Sequence, residues 1–167
     1  MKVKHVAVAI AVALSLSWEA RSDDSQLRAR ALRHARRMAR TSSAGEVSAM
    51  SNTNFAGVWG GRYVYSSRGS SCGTRLTSFQ FRHLLLTRGA SGSLSTNHDG
   101  DFGGRSRDRG RRWEFAKGVS VGGRPAVLGI VYQGLARNGN TAATGAAISI
   151  SGGCDLLYVA NAIRLAR

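Results

Sequence analysis

The chain has 167 residues, with 24 Lys and Arg against 9 Asp and Glu, and a formal net charge of +15. That length suits one domain and is short for two, while an apolar fraction of 43% excludes wholesale disorder. Lys2, Lys4 and Lys117 are the only lysines, so the charge is almost all guanidinium, which attracts polyanions and favours bidentate contact with phosphate or carboxylate but fixes no fold.

The N-terminus opens with Lys2, Lys4 and His5, runs apolar from Val6 to Leu16, and offers Ser15 and Ser17 as a small-x-small exit before Glu19. Basic start, apolar core and small-residue exit are the three parts of a secretory signal. The apolar run is well short of the about 20 residues that span a bilayer. We therefore expect residues 1–17 to be a signal peptide, and the mature chain to have no transmembrane span and a secreted or periplasmic location. In an oxidising compartment Cys72 and Cys154 are expected to form a disulfide, with two free buried thiols as the alternative. Two cysteines without a nearby His pair do not suit a metal.

Residues 18–51 form a second zone. Asp23 and Gln26 resemble a capping box, and Leu27, Ala31, Leu32, Ala35, Met38 and Ala39 recur at helical spacing along one face. Arg28, Arg30, Arg33, Arg36, Arg37 and Arg40 occupy most of the remainder. The spacing predicts a helix from Ser25 to Arg40, followed by a polar linker. Such a helix either lies on anionic lipid or another polyanion with its shallow face inserted, or is a solvated or removable pro-segment.

Residues 52–167 read as strands. Gly45 is the single glycine before residue 52; the other 20 of 21 punctuate the rest of the chain. Phe55 to Tyr65 alternates, with Trp59, Gly61, Tyr63 and Tyr65 on one face. Leu76 to Thr87 alternates likewise, with Thr77, Phe79, Phe81, His83 and Leu85 together. Ser91 to Thr96, Arg112 to Ala116, Ala126 to Tyr132, Ala142 to Ile150 and Leu156 to Leu165 complete the set. Asn138-Gly139-Asn140 and Gly152-Gly153 supply turns. Seven or eight strands at close spacing, with no helix between them, predict an all-β domain: a small antiparallel up-and-down barrel or a sandwich.

Gly57-Val58-Trp59 at the head of the first strand resembles the G-x-W of the calycins, the lipocalin and avidin superfamily. Arg164 stands where that superfamily places an arginine packed across the tryptophan. The resemblance implies a small β-barrel with a cation–π contact at its base. It carries over no ligand residues, because the lipocalins' later T-D-Y pattern and an avidin-like ligand set have no counterpart. Small-barrel secreted protease inhibitors of bacteria are also similar, with a closer cysteine spacing.

Three sets of residues are candidates for function. Trp59, Tyr63, Phe79, Phe81, Trp113 and Tyr132 either line a site for an apolar ligand or simply fill the barrel. Arg105, Arg107, Arg109, Arg111 and Arg112 form the densest charge cluster, interrupted by Asp108, and suit a polyanion bound with salt-sensitive affinity. Asn97, Asp99 and Asp101 alternate as the first ligands of a calcium loop do, but Phe102 stands where the glycine belongs and no Glu closes the loop. We read Asn97 to Arg112 as a polar turn between strands, with a weak site formed by His98, Asp99 and Asp101 as the alternative, and expect neither metal nor cofactor. His83 falls in an apolar row, Glu114 points outward between Trp113 and Phe115, and His34 and His98 join no nucleophile or carboxylate pair. No catalytic residue is expected. The sequence thus points to a non-enzymatic secreted or periplasmic binding module for an apolar small molecule or a protein partner. The alternative is an envelope-associated basic protein that binds anionic surfaces through Arg28 to Arg40 and Arg105 to Arg112.

Overall fold

A computed structural model describes residues 24–42, 55–73, 78–96, 100–135 and 139–166; the expected signal peptide and most of the linker lie outside them. Eight strands follow one helix, α1 (residues 24–41). They are β1 (Gly57–Tyr65), β2 (Phe79–Arg88), β3 (Ser91–Thr96), β4 (Gly100–Arg107), β5 (Arg112–Val121), β6 (Arg124–Leu135), β7 (Thr141–Ile150) and β8 (Cys154–Ala166). Each pairs antiparallel with its neighbour, and β8 returns to β1, so the sheet closes into an up-and-down barrel. Closure removes every sheet edge. The architecture is all-β and compatible with a calycin-like fold.

Period-two alternation sends one set of side chains inward. Trp59, Tyr63, Phe81, Leu85, Leu94, Phe102, Trp113, Phe115, Ile130, Tyr132, Leu156 and Tyr158 form one continuous core. At the end of the barrel where β1 begins, Phe55 crosses beneath Trp59 and accepts the indole Nε1–H on its carbonyl at 2.8 Å. Arg164 of β8, paired in register with Trp59, lies over the indole ring at 4.6 Å. At the opposite end, the serine-rich loop after β1 continues the ladder along β8. Ser71 N donates to Asp155 O, Ser70 Oγ accepts from Leu157 N, and Cys72 is bonded to Cys154 with their Cα atoms 4.9 Å apart.

The segment expected to be a polar turn contains a strand. β4 alternates correctly, with Phe102 inward and Asp101, Arg105 and Arg107 outward, but its other inward positions are Gly104 and Ser106. These are small because β5 fills the space. A side chain at Gly104 would strike the Phe115 ring, and one at Gly92 of β3 would meet Trp113 at 2.7 Å.

Helix α1 packs on the outer wall of β5–β8. Leu27 and Ala31 meet Ala116 and Val127, while Ala35, Met38 and Ala39 meet Val131, Ala147 and Leu157. Its shallow, alanine-rich face suits this close approach. Gly145 of β7 lies so near that an added Cβ would touch the backbone of Ala35 and Ala39 and sit 2.8 Å from Met38 Cβ. The face read as a membrane-inserting stripe is therefore occupied by the barrel.

Candidate anion-binding face

The two acids that point outward on the helix-bearing wall flank α1, one on each side. Asp155 of β8 accepts Arg30 Nε at 2.9 Å and lies 3.5 Å from His34 Nε2. Burial holds the His34 imidazole below its ordinary pKa against the pull of Asp155, and Arg37, Arg33 and Arg30 push in the same direction as burial. On the other side, Glu114 of β5 does face outward, as its alternation predicts, yet it is only 5% exposed because α1 covers it. Arg36 donates to both of its oxygens, at 2.7 and 3.2 Å, and Arg112 Nε donates at 2.8 Å. Arg107 Nε stands 3.7 Å away. The arginine that ends the predicted polyanion cluster, Arg112, is thus largely engaged in structure: it also holds Asp108 at 2.7 Å.

The rest of the cluster is open. Arg105, Arg107, Arg109 and Arg111 are all exposed. Asp108 and Arg109 turn the chain from β4 into β5 with φ of 53° and 57°, a left-handed backbone uncommon outside glycine. Between this strand and the flank of α1 runs a groove of about 610 Å³, bordered by Arg28, Leu32, Arg105, Arg107 and Glu114. Arg28 spans its far side and donates to Ala116 O at 2.8 Å. Register extends the positive charge sideways, since Arg88 of β2 pairs with Ser91, which pairs with Arg105, which pairs with Glu114. The one carboxylate in this row is already matched by Arg36 and Arg112 and lies 3.7 Å from Arg107, so an anion arriving at Arg88, Arg105 and Arg28 meets little opposing charge.

The aromatic set is placed differently. Trp59, Tyr63, Phe81, Trp113 and Tyr132 are at most 4% exposed and touch one another: Tyr63 and Phe81 at 4.5 Å, Trp59 and Tyr132 at 6.0 Å between ring centres. Phe79 alone of the six reaches the surface, at 38%. Their polar atoms are paired inside the barrel: Tyr63 OH with Thr144 Oγ1 at 3.0 Å, and Tyr132 OH with His83 Nδ1 at 2.8 Å. Desolvation pushes both phenols well above the ordinary tyrosine pKa. An apolar ligand in the interior would have to displace these side chains.

Sequence reasoning found the arginines of β4 but not their setting. That Arg36 would join Arg112 in neutralising Glu114, with Arg107 at the margin of the pair and Arg28, Arg88 and Arg105 left facing solvent, has no local signal, because Arg36 is 78 positions from Glu114 in the chain. Asn97, His98 and Asp99 lie outside the described residues, and among the described residues no group of three or more His, Cys, Asp and Glu could hold a metal ion. No described helix is long and apolar enough to cross a membrane. No protein-family model, curated protein or solved structure matches the chain.

Proposed function

We propose that this protein is a non-enzymatic binding module of calycin type, working in a secreted or periplasmic setting, that holds anionic partners on its outer surface. The observation that carries this reading is the exposed pair Arg88 and Arg105 in one register row, with Arg105 and Arg107 facing Arg28 across a groove whose single carboxylate is already paired. The close-packed interior supports a surface site over an internal one, since barrels this small are commonly filled by their own side chains. Gly57-Val58-Trp59 with Arg164 over the indole supports the calycin kinship, and the disulfide supports an oxidising location.

Binding of this kind is dominated by released counterions and weakens steeply with salt. The test is a salt titration of binding to heparin, followed by fluorescence anisotropy. Wild type should show a linear fall of log affinity with log salt. Arg105→Ser with Arg107→Ser should weaken binding and reduce the slope by about 1 for each phosphate- or sulfate-like contact removed. Affinity indifferent to salt, or a double variant that binds as wild type does, would refute the proposal.

A further inference from the structure

Helix α1 covers the outer wall of β5–β8 in part; the stretch that runs from the C-terminal end of β8 across β1 to β2 carries a different pattern. Leu84 and Leu86 on β2 and Ile163 and Leu165 on β8 are 39%, 55%, 56% and 57% exposed. Register makes them neighbours. Leu84 pairs with Val58 of β1, which pairs with Ala166 beside Leu165, and Ile163 pairs with Gly60, whose missing Cβ would meet Leu165 Cδ1 at 2.8 Å. With strands about 4.8 Å apart, the four side chains form one apolar strip across three strands rather than scattered single residues, which would need no explanation.

The charged residues on the outer faces of β1 and β2 beside this strip are all arginines, while Asp101 of β4 ends the row that runs from Leu84 through Ser95 and accepts Ser95 Oγ. Between Glu46 and Asp99 the sequence has no carboxylate. On the outer faces of β1 and β2 stand Arg62, Arg82 and Arg88, all exposed. Arg82 lies in the same row as Gly60 and Ile163, and Arg88 lies beyond Leu86, at the head of the row that runs through Ser91 to Arg105. A second copy of this chain docked face to face would oppose arginine with arginine, which disfavours self-association through the wall. An apolar strip flanked by Arg62, Arg82 and Arg88, with Asp101 set two strands beyond Leu84, complements a surface that is apolar beneath and anionic above.

We infer that this wall docks on anionic lipid bilayers, with Leu84, Leu86, Ile163 and Leu165 entering the headgroup layer and Arg82 and Arg88 facing lipid phosphates. The inference rests on the anion-binding reading and names its partner. It adds an apolar contact that a soluble polyanion does not use, and this makes the two separable.

The experiment is co-sedimentation of the full chain with vesicles of phosphatidylcholine alone and of an equal mixture with phosphatidylglycerol, alongside heparin binding. Binding in excess of that to phosphatidylcholine is the readout, so contributions shared by all variants cancel. Wild type should favour the phosphatidylglycerol vesicles. Leu84→Ser with Leu86→Ser should lower that partition by about tenfold, because each side chain is half-exposed and gives up part of the transfer free energy of a leucine, while leaving heparin binding unchanged. Both leucines are on the surface, and an unaltered circular-dichroism spectrum would show that the barrel is intact. Vesicle binding untouched by the leucine pair would overturn the inference, as would heparin binding without vesicle binding, which leaves the anion-binding function standing. A dimer in gel filtration that the leucine pair breaks would overturn it in favour of a self-interface, and capture by an acidic protein with no vesicle binding would overturn it in favour of a protein partner. Loss of both vesicle and heparin binding in the leucine pair would overturn it too.

Discussion

Replacing Gly145 with alanine tests how α1 is held. The added methyl would collide with Ala35 O and Ala39 N, and would lie 2.8 Å from Met38 Cβ. Two of these are helix backbone atoms that no rotamer change can move aside, so the whole helix must retreat, by on the order of 1 Å, to restore ordinary contact. A gap of that size forfeits a quarter to a half of each dispersion well across the interface, and the interface consists of Leu27, Ala31, Ala35, Met38 and Ala39. Overpacking of this kind costs about 1–3 kcal/mol. The assay is guanidinium denaturation followed by circular dichroism. Gly118→Ala in β5 and Gly103→Ala in β4 are the controls, because a Cβ at either meets nothing within 4 Å. They should be neutral or gain up to about 1 kcal/mol by restricting the unfolded chain. If Gly145→Ala has the same midpoint as the controls, the helix does not dock on β7 in this way.

Two further predictions concern the covalent and ionisable parts of the barrel. Cys72→Ser with Cys154→Ser opens a loop of 82 positions and should cost roughly 4 kcal/mol in the chain-entropy account; a denaturation midpoint that reductant leaves unchanged in wild type would contradict this. Burial raises the pKa of Tyr63 and Tyr132, so the folded state keeps protons that the unfolded state releases, and stability should fall as pH rises above about 10. Phenolate absorbance from these two residues should therefore appear together with loss of the barrel spectrum, and their ionisation near pH 10 in an intact barrel would refute the buried placement.

Much of the fold was legible in the sequence, because alternation is a local property. Trp59, Tyr63 and Phe81 announced an inward face two residues at a time, and the alanine stripe of α1 declared its 3.6-residue period. β4 was not legible. Its inward Gly104 and Ser106 are small for the sake of Phe115 and Trp113 on neighbouring strands, and a strand whose inner face is emptied for its partners reads as a loop. The candidate site was half legible. A run of arginines is visible in any sequence, but which of them are consumed in structure depends on carboxylates that the fold brings from far away.

By itself, then, the amino-acid order determined the strand-rich domain, the basic helix, the cysteine pair and the tryptophan–arginine signature, since each rests on spacing or on chemical type. Tertiary structure decided the rest. It turned the helix's alanine face onto Gly129 and Gly145, filled the barrel with the aromatics that could have lined a cavity, and assigned Arg30 to Asp155 and Arg36 to Glu114. It also gathered Leu84, Leu86, Ile163 and Leu165 onto one wall. The physical reason is the same in each case: volume and charge are balanced between residues that meet only when the sheet closes.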